Sequence, residues 1–359
     1  MKKILYIGNV GRGSYGDDVA YAMFREYILK NYRSEISVKL LSMDPKNNYV
    51  VGHTDGYDFF LIGGGTCISN LYRPYADRIA MGLKDLGKRY GFFGTGVFFE
   101  SQRNQEGMKC VAGREEMKRT KRFIENAEFI SVRDEQSARF MRAMTERKDI
   151  GICGDPGLRV TPRDTYGLDL DASSWHERVI GINICGLNDQ DRLGAIPADD
   201  RIVRDRFSDF VMKYQSRYTF LHIPFNELDT RNDEYLSSFG VKCMPFTTPD
   251  RIAGFMSLCD YFIGHRLYAD VTAAALEVPF ISVAYSEPNI NFLTHIKWLQ
   301  IILTTELCDG DMLFEDIFPY FEDIQFRLSC QKHLKKVVLE AQSQYRLEAD
   351  RLCRMVMEE

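Results

Sequence analysis

Short apolar runs alternate with amphipathic segments through the first half of the chain. Asp17–Asn31 carries apolar residues at positions 19, 20, 23, 24, 27 and 28, which is the spacing of one helix face. Apolar strands that alternate with such helices predict a parallel sheet covered on both faces. The predicted strands are Lys3–Gly8, Val38–Ser42, Phe59–Gly63, Tyr90–Gly94, Phe129–Val132 and Ile150–Cys153, and the further helices are Arg73–Lys88, Arg114–Asn126 and Asp134–Met144.

The same alternation restarts after a polar interval, Pro162–Trp175, which is the best candidate for a linker. A charged amphipathic stretch from about Asp323 to Glu359 predicts one long C-terminal helix. The predicted strands of this half are Val179–Ile184, Tyr218–Ile223, Val241–Met244, Tyr261–Ile263 and Phe280–Val283, and the helices are Asp200–Gln215, Thr230–Phe239, Thr248–Leu258 and Tyr268–Leu276.

Two doubly wound α/β domains that face a cleft are the simplest fold for this pattern. We predict domains at residues 1–165 and 176–322, with the helix 323–359 crossing back to pack partly on the first. Ligands of such sheets bind at the carboxyl ends of the strands.

The charge and the cysteine content of the chain exclude several classes of protein. The 359 residues include 46 lysines and arginines and 51 aspartates and glutamates, a formal charge of −5, which argues against a nucleic-acid binder. No apolar run reaches the about 18 residues that span a bilayer, so we expect no transmembrane segment. Nine cysteines without a C-x-x-C pair predict reduced thiols in a cytoplasm. The histidines show no metal-ligand spacing, so no metal site is predicted.

Glycine-rich turns follow three predicted strands of the first half. The turn Gly8–Asp18 contains Gly13 and leads into a helix whose free N–H groups suit an anion, although it matches neither a dinucleotide nor a Walker motif. Asp17 would repel that anion, and its alternative role is to cap the helix. Two further turns end in Gly64-Gly65-Thr66 and in Gly96, and together the three predict a lined crevice.

Two arginines follow strand ends in the same way. Gly264-His265-Arg266-Leu267-Tyr268 places an arginine fork at the start of a helix, where it can bind a carboxylate or a phosphate. The alternative is that Arg266 pairs with an acid while Tyr268 packs in the core. Arg133 follows another strand, and its alternative role is an exposed, salt-bridged turn.

These segments, in this order, resemble the polysaccharide pyruvyltransferase family over about residues 3–290. The matching segments are Gly16-Asp17-Asp18, Ile62–Thr66, Gly94–Gly96, Ile130–Ala138, Cys153–Pro156, Ile223–Phe225, Ile263–Tyr268 and Val278–Ile281. The resemblance implies two Rossmann-like domains of the glycosyltransferase-B type. It also implies transfer of the enolpyruvyl group of phosphoenolpyruvate to two hydroxyls of a cell-surface sugar, with no cofactor.

The resemblance also assigns site residues and partners. Arg266 would bind phosphoenolpyruvate, with Arg133 helping from the opposite domain, while the acceptor would be a sugar or a glycan-lipid. Peripheral contact with a membrane-linked glycan is a further expectation, and the oligomeric state is left open. The family's acid is a histidine two residues after the arginine, a position held here by Tyr268. An acid must protonate the methylene carbon, and we predict His265, ahead of Tyr268, for that role.

Two other functions stay open at this point. One is a transferase of the same fold that uses another donor, such as a nucleotide sugar. The other is a non-catalytic family member that binds glycan or protein partners, because Tyr268 replaces the family's histidine and Tyr285–Asn289 lacks the family's lysine.

Overall fold

The structure is a computed structural model. It describes residues 1–43, 54–69, 75–98, 101–104, 107–110, 114–163, 175–185, 200–298, 300–303 and 314–358. Contacts divide the chain into a first unit, residues 1–156 with 340–359, and a second unit, residues 157–339. The predicted linker lies mostly outside the described residues, and the predicted domain boundaries at 165 and 176 stay predictions.

The first unit is built on a parallel sheet. Within the described residues, the sheet has six strands in the order β10-β9-β5-β3-β1-β2. Its elements are β1 (Lys2–Gly8), α1 (Tyr15–Asn31), β2 (Ile36–Ser42), β3 (Phe59–Gly63), β4 (Ile68–Ser69), α2 (Tyr75–Asp85), β5 (Tyr90–Thr95), β6 (Val97–Phe98), β7 (Ser101–Asn104), β8 (Gly107–Cys110), α3 (Arg114–Asn126), β9 (Phe129–Val132), α4 (Glu135–Met144) and β10 (Gly151–Ile152).

The second unit repeats this architecture. Its described strands form a parallel sheet in the order β13-β12-β11-β14-β15-β16. A 3₁₀ helix, Pro156–Arg159, spans the division, and a second one covers Glu227–Asn232. The other elements are β11 (Val179–Ile182), α5 (Asp200–Tyr214), β12 (Thr219–His222), α6 (Asp233–Ser237), β13 (Lys242–Cys243), α7 (Pro249–Met256), β14 (Tyr261–Gly264), α8 (Leu267–Ala275), β15 (Phe280–Ala284), α9 (Glu287–His295), β16 (Ile301–Leu303), α10 (Phe314–Glu322) and α11 (Ile324–Met357).

Alternation along the strands builds two cores in the first unit. Phe60 and Ile62 of β3 face one core, with residues of α2, α3 and α4, while Phe59 and Leu61 face the other, with residues of α1 and α11. Because successive strand residues point to opposite faces, a continuous apolar run supplies both cores at once. This burial explains why the strands read as unbroken apolar segments.

The end of α11 packs within the first unit. Tyr345 contacts the rings of Tyr27 and Phe93, with ring centroids 5.8 and 5.1 Å apart. Asp350 accepts hydrogen bonds from the hydroxyls of Tyr27 and Tyr32, at 2.6 and 2.7 Å. Among the described residues, no helix has both the length and the apolar character that a membrane span needs.

The predicted fold class, α/β with two parallel doubly wound sheets, is confirmed. One predicted helix is wrong, because Thr230–Phe239 is divided between the 3₁₀ helix Glu227–Asn232 and the short α6. A capping box at Asn226 begins the 3₁₀ helix earlier than the hydrophobic spacing indicates. Helices α9 and α10 and strand β16 were not predicted from the pattern.

A substitution at Gly91 tests the packing of the first sheet. A Cβ at Gly91 would lie 2.5 Å from the carbonyl oxygen of Phe129 on the neighbouring strand. Because that backbone is fixed by the sheet, we expect Gly91→Ala to lower the free energy of unfolding by about 1–3 kcal/mol in urea denaturation.

Gly82→Ala is the matched control. A Cβ at Gly82, inside α2, meets no atom within 4 Å. We expect this variant to raise the free energy of unfolding by about 0.5–1 kcal/mol, because alanine favours a helix. Equal effects of the two substitutions would contradict the packing described for β5.

Candidate functional site

Both sheets have a point where the chain reverses the direction in which strands are added. In the first unit this point lies between β1 and β3, and in the second between β11 and β14. Loops that leave the carboxyl ends of two such strands diverge, and the crevice between them is where open α/β sheets bind ligands. The predicted site residues follow these strands and their neighbours.

In the first unit, glycines make room for a buried arginine. Arg133 follows β9 and is 4% exposed. Its guanidinium donates to the carbonyl of Gly65 at 3.4 Å, to the hydroxyl of Thr66 at 3.3 Å and to Asp134 at 3.3 Å. A Cβ at Gly96 would lie 2.6 Å from the guanidinium, so a larger residue there would displace the Arg133 side chain. The alternative of an exposed turn for Arg133 is wrong, although the ion pair that it included is present, with Asp134.

Asp17 lies against the same glycine-rich turn. A Cβ at Gly65 would come within 2.7 Å of its carboxylate, and one at Gly64 within 3.2 Å. Burial raises the pKa of Asp17 to about 6, against the lowering effects of Ser14, Asn9 and Arg133. The alternative of a capping role is wrong, because Ser14 is the N-cap of α1. Asp17, Gly64, Gly65, Thr66, Gly96 and Arg133 are called the Arg133 cluster below.

Gly13, the remaining candidate of the first unit, lies in the turn before α1. Its φ of 76° is a left-handed conformation that glycine adopts at little cost. The structure gives Gly13 a role in the turn's path, and its predicted contact with a substrate stays a prediction.

In the second unit, a buried ion pair holds the second arginine. Arg266 is the N-cap of α8, and its Nε donates to both carboxylate oxygens of Asp229, at 2.8 and 3.1 Å. Asp229 is fully buried and also accepts from the backbone N–H groups of Phe225 and Asn226 and from the amide of Asn183. The asparagine in turn accepts from the backbone N–H of Arg266 at 3.0 Å. Arg266 therefore does pair with an acid, as one alternative held.

The pairing leaves part of the Arg266 guanidinium available. Its Nη2 is buried and has no hydrogen-bond partner among the described residues, although Nε is fully engaged. Burial alone would lower the pKa of Arg266, but the Asp229 carboxylate outweighs that effect and raises it. The guanidinium thus keeps its charge and a donor at the carboxyl edge of the sheet.

The preceding residue, His265, carries a second buried donor. Its Nδ1 accepts the backbone N–H of Cys185 at 3.4 Å and lies 3.2 Å from the thiol, which puts the ring proton on Nε2. That Nε2 is buried without a hydrogen-bond partner in the described part of the chain. Burial, reinforced by Arg266, lowers the pKa of His265 to about 3. This lowered pKa argues against His265 as an acid near neutral pH, and its predicted catalytic role stays a prediction. Asn183, Asp229, His265 and Arg266 are called the Arg266 cluster.

A second buried acid fixes the turn that carries these donors. Asp270 accepts from the Ser282 hydroxyl at 2.6 Å and from the Asn289 amide at 3.3 Å, and Asn289 also donates to the carbonyl of His265. A Cβ at Gly264 would collide with the Asp270 carboxylate, so a larger residue there would displace that side chain. Tyr268, the second residue of α8, is partly buried, and its catalytic role stays a prediction.

Asp229, Asn183 and Asp270 were missed at the sequence level. Asn183 carries a signal, since it is a polar residue inside the apolar run Ile180–Cys185 at a strand end. The Asn226–Asp229 spacing is a second signal, typical of a capping box. Neither signal shows that Asp229 contacts Arg266.

The sequence matches a known family over most of its length. A model of the family described as polysaccharide pyruvyl transferase matches residues 5–287. The chain belongs to the polysaccharide pyruvyl transferase family. Both clusters of this pyruvyl transferase family member lie inside the matched range. No curated protein matches the sequence.

Solved structures share the fold of this pyruvyl transferase family member at low identity. S. aureus MnaA, in a co-structure with UDP, is similar with a TM-score of 0.65 and 11% identity, over 98% of this chain and 95% of that chain. UDP-GlcNAc 2-epimerase from Neisseria meningitidis, bound to UDP-GlcNAc, has a TM-score of 0.58 and 12% identity, over 95% and 100%. The glycotransferase of kitacinnamycin has a TM-score of 0.58 and 11% identity, over 99% of both chains. These likenesses confirm the glycosyltransferase-B-like fold.

The raised pKa of Asp17 leads to a pH-dependent prediction. With a folded pKa of about 6 and an ordinary value of 3.8, the folded chain binds this proton more tightly than the unfolded chain. The free energy of unfolding should therefore fall as pH rises from about 4 to about 6. Asp17→Asn lacks this titrating group. The difference in free energy of unfolding between the variant and the parent should therefore shift in favour of the variant as pH rises between those values, by no more than about 3 kcal/mol.

Urea denaturation at about pH 4.5 and about pH 7.5 measures this difference. Asp85→Asn, at an exposed position in the last turn of α2, is the control and should show the parent's pH dependence. A pH-independent difference between Asp17→Asn and the parent would show that Asp17 is not the desolvated carboxylate.

Proposed function

We propose that this chain transfers the enolpyruvyl group of phosphoenolpyruvate to two hydroxyls of a sugar in a surface polysaccharide or its precursor. Two sugar oxygens form bonds to C2 of phosphoenolpyruvate, and the C2–O bond to phosphate breaks. One hydroxyl proton ends on the methylene carbon, which becomes a methyl group, and the other leaves with phosphate. The product is a cyclic pyruvate ketal, and no external cofactor is consumed.

The observation that carries the proposal is the pair of donors in the Arg266 cluster. Arg266 Nη2 and His265 Nε2 are adjacent in sequence, buried, and without a hydrogen-bond partner among the described residues. A buried donor without a partner costs free energy, and a ligand anion that accepts from it removes that cost. Phosphoenolpyruvate carries a carboxylate and a phosphate, both of which suit a guanidinium and an N–H donor.

His265 fits the role of a neutral donor better than the role of an acid. A depressed pKa keeps its Nε2–H in place at neutral pH, where it can stabilise negative charge that moves onto the departing phosphate. Its ring orientation is fixed from behind by Cys185, and Tyr285 packs on it edge to face at 5.1 Å. The geometry therefore supports a fixed electrostatic contribution at this position.

Tyr268 is left as the candidate proton donor. It occupies the position of the family's histidine, two residues after Arg266. An ordinary tyrosine pKa near 10 makes it a weaker acid than imidazole at neutral pH, so the chemical step should be slow. Protonation of the methylene carbon by Tyr268 is the part of the mechanism that a variant tests most directly.

The Arg133 cluster supplies groups suited to a sugar. Asp17 is a mostly buried carboxylate with a pKa of about 6, which can accept hydrogen bonds from hydroxyls. The Gly64-Gly65 turn packs against this carboxylate, since a Cβ at Gly65 would lie 2.7 Å from it. We assign Asp17 to the acceptor, and Arg133 to phosphoenolpyruvate or acceptor binding, as part of the same proposal. Location in the cytoplasm and contact with membrane-linked glycan also stay proposals.

Binding of phosphoenolpyruvate tests the Arg266 assignment. Arg266→Lys keeps a positive charge beside Asp229 but removes the forked donor. We expect isothermal titration calorimetry to show phosphoenolpyruvate binding weakened by about ten- to 150-fold. Arg231→Lys, at an exposed position of the 3₁₀ helix that carries Asp229, is the control and should bind as the parent does.

Two outcomes would overturn that assignment. Equal phosphoenolpyruvate affinity in Arg266→Lys and the parent would place the anion elsewhere. Binding of a nucleotide sugar by the parent, with no binding of phosphoenolpyruvate, would favour the transferase that uses the other donor.

Turnover by Tyr268 variants tests the proton donor. We expect Tyr268→Phe to lose phosphate release from phosphoenolpyruvate in the presence of acceptor sugar. Tyr268→His should match or exceed the parent near neutral pH, because an imidazolium is the stronger acid there. Full activity in Tyr268→Phe would exclude Tyr268 as the acid. An inactive parent, together with an active Tyr268→His, would show a catalytically degenerate family member.

A further inference from the structure

Three side chains of metal-binding type meet at the outer part of the second sheet. His222 ends β12 and Cys243 ends β13, and the two are register partners in the parallel pair. Register partners on adjacent strands project their side chains to the same face of a sheet. Asp233, the first residue of α6, brings a carboxylate to this face. Sequence spacing gave no sign of the cluster, because the three residues come from three different elements.

The ligand atoms of these residues are already close together. His222 Nδ1 lies 2.8 Å from the Asp233 carboxylate, and one ligand atom from each of the three residues lies within 4.8 Å of the others. His222 is fully buried, while Cys243 and the carboxylate of Asp233 are partly accessible, the latter with 32% of its side chain exposed. The cluster thus combines a fixed imidazole with an open side toward solvent.

We propose that His222, Asp233 and Cys243 bind a divalent transition-metal ion of the zinc class, with water as the fourth ligand. Imidazole, thiolate and carboxylate together form a donor set that Zn²⁺ prefers, whereas Mg²⁺ and Ca²⁺ prefer oxygen alone. Three protein ligands with one open position are typical of zinc sites that keep a bound water.

The observed spacing is near that of a tetrahedral site. Ligand bonds of about 2.0–2.3 Å place neighbouring ligand atoms of a tetrahedron about 3.3–3.6 Å apart. The His222–Asp233 pair at 2.8 Å must open by about 0.5 Å, and Cys243 must approach. Side-chain rotation of the two partly accessible residues provides this movement without a change in the strands that carry His222 and Cys243.

Metal binding must replace protons that the cluster now holds. Burial raises the pKa of Cys243 to about 11, so its thiol is protonated in the absence of a metal. His222 Nδ1 lies within hydrogen-bond distance of the Asp233 carboxylate, and its Nε2 has no hydrogen-bond partner among the described residues. Coordination through Nδ1 requires the ring proton to lie on Nε2, replaces the hydrogen bond to Asp233 by a coordinate bond and releases the thiol proton to solvent.

A metal at this site would stabilise the 3₁₀ helix that carries Asp229 of the Arg266 cluster. Asp233 directly follows the 3₁₀ helix Glu227–Asn232, which carries Asp229. A metal that ties Asp233 to the ends of β12 and β13 would fix this helix and so stabilise the second unit. None of the three ligands belongs to the Arg266 cluster, so the metal site stands whether or not phosphoenolpyruvate is the donor.

Cobalt substitution tests the site on the full chain. After treatment with a chelator, the parent is titrated with Co²⁺, and we expect one ion per chain with a thiolate-to-cobalt charge-transfer band in the near ultraviolet. Zn²⁺ should displace Co²⁺ and abolish the band, and it should raise the thermal unfolding midpoint. Cys243→Ser should lose the band, and Asp233→Asn should weaken Co²⁺ binding by at least about tenfold.

Cys330→Ser is the matched control. Cys330 is a buried thiol on α11 that belongs to no such cluster in the described part of the chain, so this variant should keep the parent's band and affinity. A parent without a charge-transfer band overturns the proposal, and so does a band that persists in Cys243→Ser. Because Cys243 and Asp233 are partly accessible, both variants should fold, and circular dichroism checks this.

Discussion

A buried guanidinium needs a buried carboxylate, and the Arg266–Asp229 pair meets this requirement in the second unit. Burial of either charge without its partner would cost several kcal/mol of desolvation free energy. That cost is comparable with the free energy of unfolding of a whole domain. Asp229 therefore accepts five hydrogen bonds from four donor groups, those of Arg266, Asn183, Phe225 and Asn226, and the Arg266 donor is Nε. Nη2 of Arg266, which follows the end of β14, is buried without a hydrogen-bond partner among the described residues. Asn183 and the 3₁₀ helix that carries Asp229 both take part in this one pair.

The first unit also buries an arginine, and there a backbone carbonyl and a hydroxyl contact the guanidinium in addition to a carboxylate. Arg133 is buried among the carbonyl of Gly65, the hydroxyl of Thr66 and the side chain of Asp134, in space that Gly96 leaves open. The positive charge there lowers the pKa of Asp17, yet burial still raises it to about 6. The glycines at these strand ends therefore allow a cation, Arg133, and an acid, Asp17, to lie close to the sheet. Charged groups that are buried at a cost in desolvation free energy are typical of binding and catalytic sites.

Sequence patterns predicted the sheets and the glycine turns, but not the contacts that give the arginines their roles. Phe59–Gly63 and Phe129–Val132 were placed to the residue, because strands buried on both faces read as unbroken apolar runs. Asp229 was missed because its role depends on a contact across 37 residues. His265 was assigned as an acid because its ordinary pKa is near neutral, whereas its burial, which the sequence does not state, lowers that pKa to about 3. The His222, Asp233 and Cys243 cluster depends likewise on strand register.

A crystal structure of the full chain with phosphoenolpyruvate is the most direct test of the anion site at Arg266. We expect carboxylate or phosphate oxygens within hydrogen-bond distance of both Arg266 Nη2 and His265 Nε2, with the Arg266–Asp229 pair unchanged. A structure in which phosphoenolpyruvate binds away from both atoms, at concentrations that saturate binding in solution, would contradict it.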